Sequence, residues 1–132
     1  AYQIDPVAYA PNPPGSFEIN GVPDILAINK HQLLLIERSF STGRNPCTIK
    51  IYLGEFGDAS DVSHLSILTT GDFTPISKKL LLNMDSLGIY TDNIEGVTLG
   101  PKLSNGHQSL IFVADNNFSA QEKTQFLLFE IQ

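Results

Sequence analysis

CTIKIYL, residues 47–53, sets Ile49, Ile51 and Leu53 on one side of an extended chain and Lys50 and Tyr52 on the other. A period of two marks a half-buried β-strand. Short runs of the same kind flank it. DILAI (24–28) and QLLLIERS (32–39) come before; LSIL (65–68), KKLLLNM (78–84), GVTLG (96–100), SLIFVAD (109–115) and TQFLLFEI (124–131) come after. Turn signals separate them: Asn20-Gly21, Gly43-Arg44-Asn45-Pro46, Gly57-Asp58, Gly71-Asp72 and Asn105-Gly106. Regular short strands with frequent turns predict an all-β protein of antiparallel sheets, as a sandwich, barrel or propeller. One short helix is expected near Asp85–Tyr90. The opening AYQIDPVAYAPNPPGS carries four prolines. It reads as a linker or an edge strand over residues 1–16, with 2–9 extended and 10–16 a loop.

The chain has 132 residues, 42% hydrophobic and 17% charged, which is one ordinary globular domain by length and composition. The net charge is −6 and the longest basic run is Lys78-Lys79. A nucleic-acid partner needs a basic stripe, so none is expected. No apolar run approaches the ~20 residues of a membrane helix. The single Cys47 has no internal disulfide partner and reads as a small buried thiol. No Gly-x-Ser-x-Gly, Walker or zinc-spaced pattern occurs. Asn117-Phe118-Ser119 matches a glycosylation acceptor, a pattern common by chance.

A weak repeat is visible. NKHQLLLIERSF (29–40) resembles NGHQSLIFVADNNF (105–118): a hairpin tip, an apolar strand, then an acid and a Phe. Sheet units about 75 residues apart suggest two blades of a β-propeller. If GVTLG and SLIFVAD form a hairpin, Glu95 and Asp115 meet at its open end, as Asp24 meets Glu37 and Arg38 in the first copy. Opposed side chains lie about 5 Å apart. Two carboxylates that close repel unless a cation or proton lies between them. A hard cation such as Ca²⁺ takes carboxylate and amide oxygens, here Glu95, Asp115 and Asn116, with Asn93 and Asn117 nearby. Acids and amides at strand ends also close local turns, and that reading stands beside the first. His31 and His107 fall at hairpin tips, away from the acids, and His64 has no acid at a readable spacing.

At these residues the chain resembles a known family. LLLIERSF, DASDV (58–62), KKLLLNMDSL, DNIEGVTLGP, SLIFVADNNF and TQFLLFEI are similar, in order, to the C-terminal part of the phytase-like ("esterase-like activity of phytase") β-propeller family, from about residue 17 to the end. Such domains are longer, so the resemblance implies a fragment of about two blades, completed by missing N-terminal blades or by another copy of the chain. It implies an extracytoplasmic bacterial setting, periplasmic or extracellular. It also implies a phosphomonoesterase activity on a phosphorylated small molecule, with a cation requirement. Glu37, Arg38, Glu95, Asp115 and Asn116 lie in the matching motifs and form the expected rim site: acids to hold a cation that polarises the phosphoryl group, and Arg38 to bind phosphate as a planar fork. Two other functions fit the same residues, a non-catalytic binding or structural β module and a calcium-dependent lactonase-like hydrolase.

Overall fold

The computed structural model describes residues 1–69 and 71–131. They form two antiparallel sheets. The first holds β1 (Glu18–Gly21), β2 (Ile25–Ala27), β3 (Gln32–Ser41), β4 (Arg44–Glu55) and β5 (Ser77–Asn83). The second is a meander of β6 (Ile94–Lys102), β7 (Gln108–Ala114) and β8 (Gln125–Ile131). The all-β reading with two sheet units therefore holds, and the arrangement is consistent with part of a β-propeller-like fold.

Both β1 and β2 pair with the same side of β3. They act as one edge strand broken at Pro23, which has no N–H to give a ladder. Asn20-Gly21 is not a turn: these residues pair with Ser39 and Arg38 inside the sheet. LSIL at 65–68 is exposed irregular chain rather than a strand, because no neighbouring edge pairs with it. The helical segment is one 3-10 turn, Met84–Leu87, capped by the Asn83 side chain and ended by Gly88 at φ 67°.

The repeat is visible in the hydrogen bonds. The His31 N–H donates to Asn29 Oδ1 at 2.9 Å, and the His107 N–H donates to Asn105 Oδ1 at 3.1 Å. Each turn opens a strand whose alternate residues enter one shared core: Leu34 and Ile36 on β3, Leu110, Phe112 and Ala114 on β7. Ile49, Ile51, Met84 and Ile94 complete it. Counted from these turns, Glu37 corresponds to Val113, and Asp115 falls two places later. The acids of the two copies are thus out of step, and Asp115 lies beyond the end of β7.

Between the two sheets β2 lies beside β6. The Asp24 carboxylate joins them, accepting from its own sheet at Ile25 N and from the second sheet at Val97 N, both at 2.8 Å. Asp24 is therefore a clamp between the two units.

β4 is buried on both faces, not one: Ile49 and Ile51 meet the core, and Tyr52 is 5% exposed on the other side. What covers that side is the N-terminal segment. Among the described residues no strand precedes Glu18. Residues 1–12 instead cross the first sheet as an irregular strap. Ala8 N donates to Ser39 Oγ, Ser41 Oγ donates to Tyr9 O, and Asn12 N donates to Thr42 O at 2.8 Å. The strap passes so close to the β3–β4 turn that a Cβ on Gly43 would stand 2.2 Å from Asn12 O. Gly43 also has φ +73°, where a side chain is strained. Gly43→Ala is expected to lower stability by about 1 kcal/mol or more. Amide exchange should speed up at Asn12 and Ala8 well before it does in β7.

Candidate functional site

The interval between the sheets opens, at the end holding the β3–β4 turn, into a cleft of about 510 Å³. One wall comes from the first sheet, with Phe17, Arg38, Phe40 and Cys47. The other comes from the crossing segment at Tyr90–Asn93 and from the β7–β8 loop, with Asn117 and Glu122. A two-residue period puts Arg38 and Phe40 on the same face of β3.

Arg38 is held by one nitrogen. Its Nη1 donates to Asn93 Oδ1 and, at 3.4 Å, to Glu95 Oε1. Asn93 Nδ2 donates in turn to the same Glu95 oxygen. Among the described residues nothing accepts from Arg38 Nε or Nη2, or donates to Glu95 Oε2. The Arg38 and Glu95 side chains are 28% and 36% exposed, so both groups remain reachable from solvent. Glu95 sits where the β6–β7 register shifts, in an irregularity between Ile94 and Gly96. Asp92 supplies the frame. It is 6% exposed and accepts from Asn93 N, Lys123 N and Tyr90 OH. Cys47 is half-buried, and desolvation pushes its thiol up, which disfavours a nucleophilic thiolate.

Glu37, one residue before Arg38, points to the opposite face of β3. It is 1% exposed and lies under the strap. Tyr2 OH (2.6 Å) and Lys78 Nζ (2.7 Å) donate to its Oε1. Asn20 Nδ2 (2.9 Å) and Asp5 N (3.2 Å) donate to its Oε2. Lys78 also pairs with Asp5 at 2.6 Å, and Tyr52 OH donates to Asp5 Oδ2 at 2.5 Å. The sheet therefore separates Glu37 from Arg38 and Glu95. Asp115 is exposed, and no hydrogen bond or ion pair of its carboxylate occurs among the described residues. Asn116 Oδ1 accepts from Phe118 N at 3.4 Å, within a local turn.

The donors do not fit a calcium cage. Among the described residues no three His, Cys, Asp or Glu side chains converge so as to hold an ion. Glu95 Oε1 is already engaged by a guanidinium and an amide.

The family model described as "Phytase-like: Esterase-like activity of phytase" matches residues 1–118. The chain belongs to this family. No curated protein and no solved structure matches it. The match includes residues 1–16, ahead of the motifs quoted above, and stops short of β8. The family is of an esterase or hydrolase type. Among the described residues no helix is long and apolar enough to cross a membrane.

Several members of the two clusters carry no local signal in this phytase-like chain. Tyr2, Asp5 and Lys78 reach Glu37 from 35, 32 and 41 residues away. Phe17 is set against Phe40 only once β1 is recognised as a strand.

The strap network titrates in a defined direction. The hydrogen bonds from Lys78 and then Tyr52 hold the Asp5 carboxyl at about 2, below its ordinary 3.8. Burial pulls Lys78 down, but its bonds to Asp5 and Glu37 outweigh this and leave it raised. Tyr2 and Tyr52 are pushed up by burial first, then by their bonds to Glu37 and Asp5. A depressed carboxyl contributes stability that is whole above its unfolded value and is lost as pH falls through the folded one. Acidification from 3.8 toward 2 is therefore expected to loosen the strap, read as faster amide exchange at Asp5 and Ala8. Asp5→Asn should remove that acid-dependent step while keeping the rest of the acid transition.

Proposed function

We propose that the cleft binds the anionic or carbonyl oxygens of an ester and hydrolyses it, with phosphomonoesters as the substrate class that the family's esterase type suggests. The observation that carries this is Arg38. It is tethered through Nη1 alone, its Nε and Nη2 have no acceptor among the described residues, and its side chain lines an open cleft. A guanidinium with a free planar edge suits a phosphoryl or carboxyl group. Glu95 Oε2 is the nearby unengaged carboxylate oxygen. In this reading Glu95 accepts a proton from the attacking water, and Arg38 steadies the charge that develops on the ester oxygens. Asn93 positions both by bridging them. No step is assigned to Glu37, which serves the strap, or to calcium.

We further infer that more propeller units or a second copy cover the outer face of the second sheet, where Phe126 is 72% and Leu128 62% exposed. The resemblance would place the reaction outside the cytoplasm.

The test is turnover of p-nitrophenyl phosphate and p-nitrophenyl acetate by the parent chain, Arg38→Met and Glu95→Gln. Arg38→Met is expected to lower kcat/KM by about 10²–10³-fold. Glu95→Gln should lower kcat by about 10²-fold or more with little change in KM. Binding without turnover in the parent would instead support a binding module. Turnover unaffected by either change would remove this cleft from the reaction.

A further inference from the structure

We propose that the cleft selects an ester carrying one anionic group and an aromatic or similarly flat apolar group, with Arg38 on the anion and the Phe17–Phe40 pair on the apolar body. This rests on the assignment of Arg38 as the anion anchor and adds a substrate class to it. A volume of about 510 Å³ suits a small molecule.

The wall beside Arg38 is apolar and bare. Phe17 and Phe40 lie with ring centroids 6.1 Å apart, tilted by 40°, a geometry that leaves ring surface for a third partner. Phe17 is 64% exposed and Ile19, paired with Phe40, is 46% exposed. Leaving that much apolar surface in water forgoes stabilisation that a flat apolar ligand would recover.

The charge count limits the anion. Arg38 is the one cation among the described residues that line the cleft, and Asp92 and Glu122 line its opposite wall. Those two acids are committed internally. Asp92 accepts from Asn93 N, Lys123 N and Tyr90 OH, and Glu122 accepts from Asn117 Nδ2 at 2.8 Å. They remain negative toward a ligand. One phosphoryl or carboxyl group finds Arg38; further anionic groups on the same molecule would face the lining acids Asp92 and Glu122, with Lys123, held over the Tyr90 ring at 5.2 Å, outside the lining. A small polyol bearing many phosphates is the wrong shape and the wrong charge for this cleft. An aryl monoester matches both walls.

Calorimetric titration of the full chain with inorganic phosphate, phenyl phosphate and inositol hexakisphosphate tests this. Phenyl phosphate is expected to bind about 10-fold tighter than inorganic phosphate, and the hexakisphosphate no tighter than inorganic phosphate. Phe17→Ala, which removes an exposed ring outside the core, should bring phenyl phosphate down to the inorganic value without changing the latter. Phe40→Ala should do the same, with a thermal melt to confirm folding. Arg38→Met should weaken both ligands. Phosphate binding that depends on Arg38 but gains nothing from the phenyl ring would overturn the apolar specificity and leave the anion anchor standing. So would tightest binding of the hexakisphosphate. If none of the three ligands binds, both the anchor and the specificity fall.

Discussion

Strand β3 is buried on both faces, and the two-residue period of a β-strand sends Glu37 one way and Arg38 the other. Everything distinctive about this chain follows from that split. On one side, Leu34 and Ile36 enter the core shared with the second sheet, and Arg38 continues their line to the open end. On the other side, Glu37 is a carboxylate at 1% exposure that must find donors. It finds four, and three of them come from Tyr2, Asp5 and Lys78. The strap is therefore held by a buried ionic network rather than by a ladder.

The same split defines the candidate site. Arg38 is fixed by contacts that cross from the first sheet to the second, at Asn93 and Glu95. Its geometry depends on how the two sheets are held. That placement rests on the core of Ile36, Ile51, Met84, Ile94 and Phe112, and on the Asp24 carboxylate joining Ile25 N to Val97 N. An arginine anchored by one nitrogen across such a junction is pre-organised but still has a free edge, which is the condition for binding a ligand oxygen without first breaking a strong internal pair.

Much of the fold is legible in the residues themselves. Alternation in TIKIYL and the Asn-x-His-Gln tips locate β3, β4 and β7 and the hairpins between strands. Hairpin geometry points Arg38 and Glu95 each to the end of its own hairpin, but the contact between them crosses from the first sheet to the second and is not given by either hairpin. The rest is not legible, for identifiable reasons. Asn20-Gly21 has turn chemistry yet sits in a ladder, because β3 offers Ser39 and Arg38 as partners. The strap binds through side chains and backbone groups over separations of 31 to 35 residues, which leave no periodicity in the sequence. Reading Glu37 and Asp115 as equivalent acids fails because the copies align by their turns, and Asp115 lies past the last residue of β7. The hairpin reading also gives no sign of Arg38 at Glu95 Oε1, a charge supplied from another strand 57 residues away.

The unpaired edge of Arg38 is expected to receive an anion. Arginine side-chain N–H resonances of the full chain, followed by NMR during titration with inorganic phosphate, address it directly. Saturable shifts and slowed exchange are expected of the Arg38 Nε–H, with little response from Arg44, whose Nε already donates to Ala10 O at 3.1 Å. An Arg38 resonance that stays unmoved at saturating phosphate, or shifts that are equal at Arg38 and Arg44, would contradict it.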